Sequence, residues 1–323
     1  MTRALPFFTS LFLAALFFAG VALAQGYPNR AVKVIVPWPP GQATDIAARV
    51  VAEKLQSALG QPFVIENRPG AGGAIGTDVV AKSAADGYTV LAASAGPISI
   101  MPHLQKTPYD PLKDFAPVSL IALVPFVLVS HPSFPASDLK GFIANVRANP
   151  GKYSFSSSGT AASAYMITAL FNSMAQLDAQ HVPYKGTAPA ITDIIGGQIT
   201  YTVETVAATL GHVKAGRLKA YGVSFAQRSA AMPDVPTIAE AALPGYDIGA
   251  WIGYTAPAGT PREALNRLAA EMQKIAQAPD IKERYLTLGL DPISSTPDEM
   301  ATFLRAQQER YGSIIKSQGI KAE

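Results

Sequence analysis

"VKVIVPWPPGQATDIAARVVAEKLQSAL", residues 32–59, joins three signals in one stretch. Val32–Val36 is a short apolar, β-branched run of the kind that forms a buried strand. Ile46, Val50, Val51, Leu55 and Leu59 recur at helical spacing, and Gly60 stands where a left-handed stop ends a helix. Between them, Pro37, Pro39 and Pro40 stiffen the chain and remove backbone donors, and Gly41 lets it turn. Thr44 or Asp45 is placed to cap the helix that follows. A helix start behind such a loop offers unpaired N–H groups and the positive end of the dipole, which suits an anion. A cap with no ligand explains the same residues equally well.

Outward from this unit the same rhythm repeats. "PFVIENR" (62–68) precedes a helical stretch at 73–85, and "YTVLAAS" (88–94) follows as a strand. Strands alternating with helices imply a doubly wound parallel sheet. The rhythm breaks at "VSLIALVPFVLVS" (118–130), where two β-rich runs flank Pro125 with no helix between them. A second α/β set runs through "YSFSSSG", "HVPYKG", "PAITDIIGG", "ITYTVET" and "RLKAYGVSF". "IGAWIGYTAPAG" then returns as β structure, and helices are expected near 261–277, 280–288 and 297–318. The expected fold is α/β with two lobes: residues 25–124 plus 250–323, and residues 125–249. A cleft between them would lie at the carboxyl ends of the strands.

The N-terminus bears on location. Arg3 is the only charge before the apolar run Leu11–Ala24, which ends in Ala-Leu-Ala. That pattern reads as a secretory signal peptide, residues 1–24, cleaved after Ala24. A membrane anchor is the alternative, but Thr9, Ser10 and Gly20 interrupt the run. Removing 24 of the 323 residues leaves 299, more than a single core usually fills. It also leaves 25 basic against 23 acidic side chains, a balance that argues against a nucleic-acid partner. With no cysteine, disulfides and thiolate metal sites are excluded.

Two further strand-to-helix loops are rich in small polar residues: "ASAGPIS" (93–99) and "SSSGTAAS" (156–163). Either could simply cap a helix, but three such ends in one chain would line a cleft with hydroxyls and amides. The glycine-rich "PGAGGAIG" (69–76) is one residue off the dinucleotide fingerprint, with Ile75 where its third glycine belongs, and reads as a tight turn. No nucleophile elbow, Walker loop or H-E-x-x-H helix occurs, and the four histidines are scattered. No catalytic residue, metal or cofactor is assigned. Trp38, at a loop tip, could stack on a planar ligand or merely cover the helix end.

Several ordered blocks carry a family resemblance: "YPNRAVKVIVPWPPGQATDIAAR", "VIENRPGAGGAIGTDVVAKSAADGYTVL", "PYDPLKDFAPVSLIA", "HVPYKGTAPAITDIIGGQI" and "RSAAMPDVPTIAEAALPGYD" among them. Over nearly all its mature length the chain resembles the Bug (TctC-like) substrate-binding proteins of tripartite tricarboxylate transporters. The resemblance implies a type II periplasmic-binding-protein fold and a small carboxylate ligand: a dicarboxylate, an acidic amino acid or an aromatic acid. It also implies a soluble, monomeric periplasmic receptor that delivers this ligand to membrane permease subunits. A receptor serving a membrane sensor kinase is an alternative, and an enzyme using the same cleft a weaker one.

Carried over by position, the resemblance makes Gly41, Thr44, Asp45, Ser94 and Gly96 ligand-binding candidates in the first lobe. Ser158, Gly159, Thr160, Lys185, Gly186 and Thr187 are their counterparts in the second. Two departures mark this sequence. Gln42 and Ala43 replace glycines usual before Thr-Asp, and Glu204 and Thr205 stand where an Asp-Asn pair is usual. Trp38, Gln42 and Glu204 are accordingly expected to tune selectivity, with an ionised Glu204 repelling a second ligand carboxylate.

Overall fold

The computed structural model describes residues 26–157, 162–317 and 319–320. The expected signal peptide, residues 1–24, lies outside the described residues, as do Ser158, Gly159 and Thr160.

The opening stretch folds as a strand, β1 (Val32–Val36), and a helix, α1 (Ala43–Leu59), ended by Gly60 at φ 70. The next unit adds β2 (Phe63–Asn67), α2 (Ala74–Ala81) and β3 (Thr89–Ser94). After a π-helical turn (Gly96–Ile100) and α3 (Met101–Leu104), β4 (Phe115–Val124) completes the first pass. The second set comprises β5 (Phe126–Ser130), α4 (Leu139–Arg147), β6 (Ser154–Ser157), α5 (Ser163–Met174), β7 (Gln180–Pro183) and α6 (Thr187–Ile195). It ends with β8 (Tyr201–Thr205), α7 (Val206–Lys214), β9 (Lys219–Val223) and α8 (Ile238–Ala241). The chain returns through β10 (Ala250–Pro257), α9 (Arg262–Gln277), α10 (Pro279–Thr287), β11 (Asp291–Pro292) and α11 (Pro297–Ser317).

These strands make two sheets, ordered β11-β4-β10-β3-β1-β2 and β7-β6-β8-β5-β9. The sheets are mixed rather than wholly parallel, and the reason lies in the crossings. Strands linked by helices, such as β1 to β2 and β3, pair in parallel. The strands that enter a sheet at a crossing run the other way: β10 against β3 and β4, β5 against β8 and β9. The chain changes sheets at Pro125, whose carbonyl accepts from Val206 N–H at 2.9 Å. A proline there has no N–H to leave unpaired. The return is fixed by Ile248 N–H on the Ser224 carbonyl (3.0 Å) and by the Tyr311 hydroxyl on the Gly249 carbonyl (3.0 Å). One buried apolar cluster takes Leu91 and Trp251 from the first sheet and Phe142 and Tyr201 from the second side. A smaller cluster, with Val127, Ile191 and Val206, lies on the opposite face of the second sheet. Among the described residues no helix is long and apolar enough to cross a membrane.

Candidate functional site

The loop between β1 and α1 is held by a closed polar network. Asp45, nearly fully buried in the first turn of α1, accepts from Gly41 N–H (2.9 Å) and from Arg49 Nε (3.0 and 3.1 Å). It also accepts from Asn67 Nδ2 (2.8 Å), which donates in addition to the Trp38 carbonyl (2.9 Å). Arg49 Nη2 closes the ring on Asn67 Oδ1 at 3.0 Å. Asn67 is available because β2 runs parallel beside β1 in a register that sets Val36 against Asn67. Burial works against the Asp45 charge, but the bonds from Arg49, Gly41 and Asn67 outweigh it and hold the carboxyl below its ordinary range.

This network leaves the helix start open. The N-cap residue is Gln42, extended at φ −76 and ψ 160, and no side chain caps the helix. Neither Thr44 nor Asp45 caps, contrary to expectation, because both lie inside the first turn and Asp45 turns back to Gly41. The first intrahelical bond runs from Ile46 N–H to the Gln42 carbonyl at 2.9 Å. Gly41, at φ +86, allows the bend, and Gln42 is exposed beside it.

The end of β3 joins this loop. Trp38 Nε1 donates to Ser94 Oγ at 2.9 Å, so the serine's own proton remains to be donated elsewhere. The indole lies over Gly96, where a Cβ would come within 3.0 Å of Trp38 Cζ2. Trp38 thus bridges two predicted loops. The glycine-rich stretch serves the same corner. Gly73, at φ +93, packs on Pro97 of the π-helical turn, and Gly76 lies so close that a Cβ would stand 2.9 Å from Pro37 Cα. Its glycines answer close backbone packing.

In the second lobe Thr187 and Glu204 come together. Thr187 opens α6 behind Gly186, which takes φ +128, and its hydroxyl donates to Glu204 Oε2 at 3.1 Å. Thr205 N–H donates to Glu204 Oε1 at 2.8 Å, while the Thr205 side chain caps α7 by accepting from Ala208 N–H at 3.4 Å. Burial pushes the Glu204 carboxyl above its ordinary value, against the bonds from Thr205 and Thr187. Lys185 is exposed to solvent. Beside them, Ser157 Oγ and His181 Nε2 are 2.7 Å apart, with the imidazole against the Phe155 and Tyr165 rings (5.0 and 4.5 Å between centroids). Ser157 is buried, and this pair braces the end of β6 next to residues 158–161.

Sequence reasoning missed Arg49 and Asn67, and it missed the Ser157–His181 pair. Arg49 stands four residues after Asp45 on a helix, a spacing at which opposite charges meet, and that signal was available. Asn67 and His181 depend on strand pairing, which no local pattern displays. Among the described residues no group of three or more His, Asp or Glu is placed to hold a metal.

The profile described as "Tripartite tricarboxylate transporter family receptor", TctC, matches residues 47–320. The chain is similar to protein BugT of Bordetella pertussis, 37% identical over 326 residues and 99% of each chain. A protein of R. palustris solved with adipate has a TM-score of 0.79 at 32% identity, over 91% of this chain and 99% of that one. MatC of Rhodopseudomonas palustris, with bound malate, has a TM-score of 0.74 at 32% identity, over 90% and 100%. Such a match over nearly the full length, together with the two mixed sheets and their crossings, establishes a two-lobed periplasmic-binding-protein fold. The chain belongs to the TctC family of tripartite tricarboxylate transporter receptors.

Proposed function

We propose that the chain is a periplasmic receptor that closes two lobes on a small carboxylate and delivers it to the permease subunits of a tripartite tricarboxylate transporter. The lobes are residues 25–124 with 250–323, and residues 125–249, with the signal peptide removed after Ala24. The observation that carries this is the uncapped start of α1 beside the Ser94 hydroxyl. Unpaired amides, the helix dipole and a hydroxyl with a spare proton are what a carboxylate needs. Thr44, Ser94 and Gly96 are the proposed first-lobe contacts, with Gly41, whose N–H is given to Asp45, shaping the turn beside them; Ser158, Gly159, Thr160, Lys185, Gly186 and Thr187 are those of the second. Asp45 acts through Gly41 as a positioning residue, since its oxygens are engaged by Gly41, Arg49 and Asn67. The carboxylates named in the similar R. palustris structures support this ligand class.

The cleft is read as a binding site rather than a reaction centre, because Ser157 is buried at a strand end. The test is a thermal-shift panel of mono-, di- and tricarboxylates on the mature chain, with mass spectrometry of whatever copurifies. A bound carboxylate raises the melting temperature progressively with concentration. No shift with any carboxylate, or turnover of the bound compound, overturns the proposal.

A further inference from the structure

Resting on that carboxylate reading, we infer that Glu204 selects ligands carrying a single negative charge, with an uncharged or cationic hydrogen-bond donor at the far end. The two lobes treat their acidic residues differently. In the first lobe, Asp45 is paired with Arg49 at 3.0 Å, so its charge is balanced before a ligand arrives. In the second, no Lys, Arg or His among the described residues lies within salt-bridge distance of Glu204.

Glu204 also takes the place a ligand carboxylate would want. It sits at the carboxyl end of β8, opposite Val127 in the ladder, on the face covered by α6 and α7. Its two oxygens consume the Thr187 hydroxyl, which opens α6, and the Thr205 amide, which precedes α7. One donor beside each of two helix starts is therefore already spent on a side chain of the protein. A second ligand carboxylate would meet acceptor oxygens where it needs donors, with no cation among the described residues beside them. A hydroxyl, amide or ammonium at that end would instead find acceptors. In the first lobe the acidic side chain is already held by Gly41, Arg49 and Asn67, and the uncapped start of α1 keeps its helix amides for the one carboxylate the ligand carries.

The experiment measures dissociation constants by calorimetry for matched compounds of four, five and six carbons: the α,ω-diacid, the ω-hydroxy acid and the ω-amino acid. The wild-type chain is expected to favour the best-fitting hydroxy or amino acid over its matched diacid by on the order of tenfold or more. Glu204→Gln, which keeps the size and offers an NH2 donor, is expected to shrink that ratio toward unity or invert it. A wild-type chain that binds the diacid as well as its matched partner overturns the inference and leaves the carboxylate reading standing. So does a folded Glu204→Gln chain with an unchanged ratio, while the wild-type ratio serves as the test if that variant does not fold. Absence of binding by every mono- and dicarboxylate overturns both.

Discussion

At the scale of single residues, the network around Asp45 shows how the loop between β1 and α1 is held in shape. One carboxylate ties Gly41 to Arg49 and Asn67, and Asn67 ties both to the Trp38 carbonyl. Asp45→Asn keeps the shape but loses the charge. It is expected to cost about 1–2 kcal/mol at pH 7, the half-exposed Arg49 limiting the loss. Because the folded carboxyl lies below its ordinary value of 3.8, the stabilisation is fully present above that pH and is lost as pH falls through the lowered value. Denaturant unfolding of both chains should therefore show a gap at neutral pH that closes in acid; a gap that persists there would remove the charge from the explanation. Much of this site was legible in sequence: the loop, its anion-ready helix start, and Glu204 as a departure. What was not legible was the role of each side chain. Whether Asp45 caps its helix, meets ligand or braces Gly41 depends on Asn67, 22 residues away on a neighbouring strand.

At the scale of elements, β1, α1 and the crossing at Pro125 were readable because each follows from a local rule: a β-branched run, an apolar stripe, a residue without a donor. Parallel pairing within the helix-linked strands followed as well. The antiparallel crossings did not, since strand direction at a sheet change is decided by which edge the chain can reach. The helix α7 also escaped, its nine residues being too short a run to display a repeating apolar stripe and its start marked by Thr205 alone. The glycine-rich corner shows local and distant demands meeting in one position. Gly76 lies inside α2, where alanine would ordinarily help, yet a Cβ there would stand 2.6 Å from the Arg68 carbonyl oxygen. Gly76→Ala is expected to destabilise by about 1–3 kcal/mol in denaturant unfolding. A stabilised variant would mean that α2 can withdraw from β1 at no cost.

At the scale of the molecule, the segment around Gly289 and Asp291 ties the two sheets together. Gly289 approaches the backbone of Ala207, and Asp291 accepts from Ser229 Oγ (3.2 Å) and Ala230 N–H (3.3 Å). A ligand gripping both lobes favours the closed arrangement by its differential affinity for it. Binding should therefore be visible from inside the protein. Of its two tryptophans, Trp251 is fully buried, whereas Trp38 is half-buried with its indole N–H on Ser94. A carboxylate that accepts a hydrogen bond from the Ser94 hydroxyl alters the field on that indole, so emission excited at the tryptophan band should shift with ligand saturation. Trp38→Phe should abolish the change and leave the steady emission of Trp251. With Ser94 as the proposed ligand contact, the bond between Trp38 and Ser94 would give the receptor an optical gauge of its own occupancy, readable without any added dye.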